Sequence, residues 1–196
     1  MMRTVIYGGS FNPIHNGHTH RATCLCNQGY TQEVWFMVSP CNPLKAHAND
    51  LLDETARLEM VRLATRHDPR LLACDFEFTL PRPSYTVDTL RSLRETYPQR
   101  DFCLIIGADN WLTFHRWREP QEILRHHTIL VYPRPGYPIA ADRLPAGVTL
   151  VQTPLLDISS TCIRHRLAQG QDVGAYLHPD VARHIAQQGY YHHIHG

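Results

Sequence analysis

The sequence has no long hydrophobic run, no cysteine-pair motif and almost no net charge, and each absence removes a class of function. No stretch of the 196 residues approaches the ~20 apolar positions that a membrane-spanning helix needs, so no membrane partner is expected. Met1-Met2-Arg3 leads into a short strand-like run and not into the apolar region of a secretory signal, which predicts a cytoplasmic protein. The formal net charge of +1 gives no global field that would gather nucleic acid, so any anion must be captured locally. Cys24, Cys26, Cys41, Cys74, Cys103 and Cys162 show no C-x-x-C spacing and are too sparse for a stapled secreted scaffold; reduced thiols are the simpler reading. The lysine-bearing phosphate loop G-x-x-x-x-G-K-[ST] and the dinucleotide fingerprint G-x-G-x-x-G are both missing. No cysteine pair stands near His15, His18 and His20 to complete a structural zinc site, and no dedicated protein metal site is expected. Internal repeats and low-complexity blocks are absent too. A hydrophobic content of 43% with 19% charged residues suits an ordinary globular chain and argues against disorder.

What the chain does have is a short apolar strand that runs into glycine. Val5-Ile6-Tyr7 precedes Gly8-Gly9-Ser10-Phe11-Asn12-Pro13-Ile14-His15-Asn16-Gly17-His18, with a helix expected from about Gly17 to Asn27. Glycines let the backbone approach an anion, and the first turn of a helix offers free N–H groups at the positive end of its dipole. Two imidazoles at that point can donate hydrogen bonds to oxygens on which charge grows during phosphoryl or nucleotidyl transfer. Taken alone, the same histidines also suit a solvated surface.

The rest of the chain alternates strands and helices. Glu33–Val38 is apolar without alternation, as in a strand covered on both faces, and the strand-helix-strand order predicts an α/β fold with a mainly parallel sheet flanked by helices. The following loop leaves the carboxyl end of its strand, where open α/β sheets bind ligands; it contains Asn42 and Lys45, and a solvated lysine is the plain alternative. Asp53 is expected to open a packing helix to about Arg66, with Leu58, Val61 and Ala64 on its buried face and the arginines elsewhere. Arg70–Phe76 reads as a strand. Ser84 or Thr86 suits the N-cap of a helix ending near Tyr97. Asp101–Ile106 reads as a buried strand that delivers Asp109 at its carboxyl end, placed to accept from ribose hydroxyls. Trp111, Phe114 and Trp117 are aromatics of the kind that usually fill cores. Thr128–Tyr132 and Val148–Val151 complete the strands, separated by a proline-interrupted excursion. Ser159 and Ser160 suit a helix start with Arg164 on its first turns, where a surface arginine is the plain alternative. A final helix, Pro179–Gln188, buries Val181 and Ile185 and stops at Gly189, and residues from about 190 to 196 read as a short flexible, solvated tail of a single domain, 1–196.

Three stretches, in order and nearly end to end, resemble the HxGH nucleotidyltransferases, and in detail the bacterial nicotinate-nucleotide adenylyltransferases. They are Gly8 to His18, the Ser84-Tyr85-Thr86, Asp109 and Trp117 middle, and Ile158-Ser159-Ser160-Thr161-Cys162-Ile163-Arg164. Asn12 stands where many members carry Asp, and Leu44 stands where a histidine is common. The resemblance implies a Rossmann-like nucleotide-binding fold and transfer of the adenylyl group of ATP, accompanied by Mg²⁺, to nicotinate mononucleotide. The products would be nicotinate adenine dinucleotide and pyrophosphate, a step of NAD biosynthesis. It further implies that Gly8, Gly9, Ser10, Phe11, His15, His18, Ile158, Ser159, Ser160 and Arg164 surround ATP, with His15, His18 and Arg164 catalytic. Asn42, Lys45, Ser84, Tyr85, Thr86, Asp109, Trp117 and Arg134 would bind the mononucleotide, Thr86 near its carboxylate and Trp117 stacked on the pyridine ring. Pantetheine-phosphate adenylyltransferases share the first and last motifs but not the middle. Nicotinamide mononucleotide as the acceptor, and an ATP-binding regulatory module without turnover, stay open as well. Oligomeric state is left open, a homo-oligomer included.

Overall fold

The computed structural model describes residues 1–40, 51–154, 156 and 158–192; Asn42, Lys45 and Asp157 lie outside them. The first half runs β1 (Met2–Gly9), α1 (Asn16–Asn27), β2 (Glu33–Val38), α2 (Glu54–Thr65), β3 (Leu71–Cys74) and α3 (Thr86–Thr96). The second half runs β4 (Arg100–Gly107), α4 (Ala108–Leu112), α5 (Pro120–His126), β5 (Ile129–Tyr132), β6 (Val148–Leu150), α6 (Ser160–Ala168) and α7 (Pro179–Gln188). The six strands form one sheet in the order β3-β2-β1-β4-β5-β6, and every pairing is parallel. That is a doubly wound order, in which the chain starts at the centre and builds first one half of the sheet and then the other. No helix among the described residues is long and apolar enough to cross a membrane.

Each buried strand feeds two cores because successive side chains point to opposite faces. Val5 and Tyr7 of β1, Val34, Phe36 and Val38 of β2, and Cys103 and Ile105 of β4 join one core, which Leu25, Met60, Val61, Ile163, Val181 and Ile185 cover from the helices. Ile6, Trp35, Met37, Leu104 and Ile106 join the other, under Val87, Leu90, Leu93 and Ile123. The unbroken apolar runs of the sequence are this two-sided burial. At the amino end of the sheet Arg100 pairs with Glu33 and donates to Thr4 Oγ1 at 2.8 Å, while Trp35 Nε1 donates to the same glutamate at 2.8 Å.

Several boundaries differ from the sequence reading. The strand expected to reach Phe76 ends at Cys74, where its pairing with β2 stops, and Phe76–Thr79 coils into a 3₁₀ turn. Neither Ser84 nor Thr86 caps α3: Tyr85 occupies the N-cap with no side-chain bond, and Thr86 is already helical. Not all the arginines of α2 lie off its packing face, for Arg57 is 0% exposed. Its guanidinium donates to the carbonyls of Leu52 at 2.8 Å, Ser10 at 2.7 Å, Ser39 at 2.8 Å and Pro40 at 3.2 Å, so a buried charge is offset by backbone dipoles. The solvated tail does not begin at Tyr190, because Tyr191 is 6% exposed and its hydroxyl donates to Asn12 Oδ1 at 2.8 Å. Among the described residues Cys24, Cys26, Cys74, Cys103 and Cys162 are free thiols.

At α2 and α7 the caps behave as the residue types dictate. Asp53 accepts from Thr55 N at 2.9 Å and Ala56 N at 3.0 Å, and α7 ends on Gly189 in the left-handed conformation, φ 68°, which glycine adopts without steric cost. Replacing Asp53 by Ala should lower the unfolding free energy by about 1 kcal/mol, read as a shifted midpoint with unchanged slope in urea denaturation.

Candidate active site

β1 and β4 lie side by side at the point where the order of the sheet reverses, and loops leaving them diverge. Ligands of open α/β sheets bind in the crevice this creates at the carboxyl ends of the strands. The residues at that end are Gly8 to His18, from the last residues of β1 into α1, and Gly107 to Asp109, from the last residue of β4 into α4. Both sequence motifs are therefore placed there by topology, not by local preference.

His15 is the N-cap of α1, in extended backbone geometry, and its N–H donates to His18 Nδ1 at 3.2 Å. That bond requires a lone pair on Nδ1 and so leaves the proton of a neutral His18 on Nε2. The two rings stack at 3.7 Å and 28°. Gly17 makes this possible, since a Cβ there would stand 3.0 Å from His15 Cε1 and Nδ1. With any other residue the ring would have to give by a few tenths of an ångström. Phe11 has φ 47°, and its ring is sunk in the core, edge-on to Tyr7 at 5.9 Å and Phe36 at 5.6 Å; what it can offer a ligand is backbone. His15 is 6% exposed. Burial first, then the Arg21 and Arg134 charges, pushes its imidazole down to about 3, so at neutral pH it is an uncharged hydrogen-bonding group.

The late motif docks on the early one. Ser159 Oγ caps α6 by accepting from Cys162 N at 3.1 Å. One residue on, Ser160 Oγ donates to Pro13 O at 2.9 Å. A turn further along the same helix face Arg164 Nη1 donates to Asn12 O at 2.8 Å. Ile158 lies against Gly17. The sequence-predicted residues of both ends of the chain are thus brought together around one loop.

The middle group is assembled after β3 and β4. Asp109 Oδ1 is 3.2 Å from Arg134 Nε, without the alignment of a hydrogen bond, and Arg134 Nη2 donates to Tyr132 Oη at 3.1 Å. Gly107 leaves room for this pair, since a Cβ there would overlap the Asp109 carboxylate. Trp111 stacks on Phe114 at 5.3 Å, as a packing residue should, and Trp117 tilts against Phe114 at 5.2 Å. Tyr85 carries the Arg118 guanidinium 4.8 Å above its ring. Buried polar atoms that make no hydrogen bond include His15 Nδ1, Ser84 Oγ, Asp109 Oδ1 and Trp117 Nε1, all in segments that follow carboxyl ends of strands. Buried polar groups are normally paired, so their concentration here is the mark of a site that meets a polar ligand.

Three residues at this end escape a motif-based reading: Arg21, Arg57 and Glu77. Arg21 is 9% exposed, donating to Tyr7 Oη at 2.7 Å and Gly17 O at 3.2 Å. Glu77 Oε1 accepts from Thr89 Oγ1 at 2.8 Å, and burial pushes its carboxyl up. A signal existed for the arginines. Arg21 lies four residues from both Gly17 and Leu25, and Arg57 four from Val61, on the faces that the helical period buries. The remaining cluster of metal-ligating type among the described residues, His67, His178 and Asp180, joins the segment after α2 to the start of α7. Arg66 at 2.5 Å and Arg183 at 3.0 Å already pair its carboxylate, and His178 Nδ1 accepts from Asp180 N at 3.2 Å.

A doubly wound parallel sheet with an HxGH turn at its switch point defines a nucleotidyltransferase, and the cytidylyltransferase-like family model matches residues 6–166. A protein of Bacteroides thetaiotaomicron named "Probable nicotinate-nucleotide adenylyltransferase" is 51% identical over 186 residues, 95% of this chain and 92% of the relative. One of the same name from Cytophaga hutchinsonii is 41% identical over 190 residues, 97% and 98% of the two chains. The chain belongs to the nicotinate-nucleotide adenylyltransferases of the cytidylyltransferase-like family. The solved structure of Plasmodium falciparum nicotinic acid mononucleotide adenylyltransferase complexed with NaAD shares the fold, with TM-score 0.82 and 22% identity over 98% of each chain.

The state of His15 has a measurable consequence. In an unfolded chain a histidine takes up its proton near 6.5, whereas folded His15 holds out to about 3. Its contribution to stability is complete above pH 6.5 and is lost as pH falls toward 3, at up to about 1.4 kcal/mol per pH unit. Between pH 7 and pH 5, His15→Asn should therefore lose about 2 kcal/mol less stability than the parent, as measured by urea denaturation at both values.

Proposed function

We propose that this chain transfers the adenylyl group of ATP to the phosphate of nicotinate mononucleotide, giving nicotinate adenine dinucleotide and pyrophosphate, a step in making NAD. The observation that carries the reading is the docking of Ser160 and Arg164 on the Asn12-Pro13 carbonyls, beside the stacked His15 and His18. It supports the reading because the late motif, 147 to 152 residues on, packs against the early loop.

The mononucleotide phosphate is already an anionic nucleophile, so no side chain has to be activated. A phosphate oxygen forms a bond to the α-phosphorus of ATP while the bond to the bridging oxygen breaks, and pyrophosphate leaves with that electron pair. Catalysis then consists of alignment and of stabilising the charge that develops. Mg²⁺ arrives on the ATP phosphates as part of the substrate. His18 offers its Nε2–H, His15 acts as a neutral hydrogen-bonding group, and Arg164 brings a planar fork of N–H donors. Gly8, Gly9, Ser10, the Phe11 backbone, Ile158, Ser159 and Ser160 form the ATP side. Ser84, Tyr85, Thr86, Asp109, Trp117 and Arg134 form the mononucleotide side, where the unpartnered Ser84 Oγ and Trp117 Nε1 await polar groups. Asn42 and Lys45 belong to the same proposal.

The test is pyrophosphate release with ATP and Mg²⁺, with nicotinate mononucleotide, nicotinamide mononucleotide or phosphopantetheine supplied in parallel. A strong preference for the first is expected. Turnover with phosphopantetheine alone would overturn the reading of the middle motif, and ATP binding without turnover would favour a regulatory module. His18→Ala should cost on the order of 10²-fold in kcat; unchanged turnover would remove His18 from the mechanism.

A further inference from the structure

Arg21 is a buried cation with no anion beside it. It lies on α1 one turn beyond His18, and no carboxylate among the described residues pairs with it. Its Nη1 donates to Tyr7 Oη at 2.7 Å and to Gly17 O at 3.2 Å. The carbon of its guanidinium sits 3.8 Å over the Tyr132 ring, while Arg134 approaches the same ring at 5.6 Å. Arg21 Nε is buried without a partner. The other buried cation among the described residues, Arg57, is offset by four carbonyls. Arg21 has one carbonyl, a phenol and an aromatic face, which is poor compensation for a charge taken out of water.

A fold keeps such a charge where a ligand anion completes it. We infer that Arg21 is a positioning residue of the transfer reaction: it holds the Gly17 turn against β1 and β5 and supplies fixed positive charge behind the His15–His18 pair, where the transferring phosphates gather. The guanidinium is too deeply set to be a general phosphate clamp. It acts through Gly17, on which the His15 ring rests, and through space across a low-dielectric layer of tyrosines, where a fixed charge is screened far less than in water. Tyr7 remains a neutral phenol in this layer, since burial first, and then the proximity of Tyr132, push its hydroxyl up. The two guanidiniums on Tyr132 thus link the histidine side of the site, through Arg21, to the Asp109 side, through Arg134.

The inference rests on the adenylyl-transfer reading, and the experiment separates the two. Parent protein, Arg21→Lys and Arg21→Met are compared for kcat and for KM of ATP and nicotinate mononucleotide, with folding checked by circular dichroism and thermal unfolding. Arg21→Met should fold and lose about 10- to 100-fold in kcat, with both KM values within about threefold, because the charge stabilises what develops in the transition state. Arg21→Lys keeps the charge and should recover to within about fivefold of the parent. Should Arg21→Met fail to fold, Arg21→Gln, which keeps a donor for Tyr7, replaces it in the same comparison. Turnover of the uncharged variant within threefold of the parent, or equal losses in the charged and uncharged variants, overturns the role given to Arg21. An inactive parent overturns the transfer reading itself.

Discussion

The loop from Gly8 to His18 is held by its carbonyl oxygens, and most of what is specific to this structure serves that grip. Arg57 takes the carbonyl of Ser10, Arg164 that of Asn12 and Ser160 that of Pro13, while Ser39 N donates to Gly9 O at 3.0 Å. Charge-assisted bonds to backbone are among the stronger ones a protein makes. Three donors from α2 and α6 fix a turn that glycine and proline alone would leave under-determined. The position of the His15 and His18 rings follows from that turn, because Gly17 and the His15 N–H are parts of it.

A site held this way suits a reaction in which the protein performs no covalent step. In the proposed transfer, neutral His15, the Nε2–H of His18 and the guanidinium of Arg164 would act by being in place before charge moves, and reorganising them during the reaction would forfeit their effect. The same logic accounts for the poorly compensated cation at Arg21. Stability is given up locally where a highly charged ligand will restore it, a pattern common at functional sites.

Much of this was legible in the sequence, for identifiable reasons. The apolar run of β2, without alternation, announced two-sided burial, and those of β4 and β5 announced buried strands. Asp53 and Gly189 carried cap chemistry that admits few alternatives. The eleven residues from Gly8 to His18 hold so many special residue types that their meaning does not depend on context. What escaped was long-range. Arg57 and Arg21 look like ordinary helix arginines until the helices are docked, since charged residues are rarely buried and only the partners across the fold explain the exceptions. Ser84 and Thr86 have the right residue types for an N-cap, but the chain enters α3 one residue differently, and boundaries are decided by tertiary packing as much as by local preference. Tyr191 lies beyond a good helix stop in a polar tail, and nothing local says that its hydroxyl reaches Asn12.

That last contact joins residues 179 positions apart. Domains emerge and fold from the amino terminus during synthesis, so β1 and its loop are exposed long before their supports exist. Ser160, Arg164 and Tyr191 come from the end of the chain, as does Tyr176, whose carbonyl accepts from Asn16 N at 2.8 Å. A polypeptide cut short in translation would carry both histidines and most of the sheet yet lack the groups that set the loop. The order of synthesis thereby leaves the loop without its supports until the segments that carry Ser160, Arg164, Tyr176 and Tyr191 have been made.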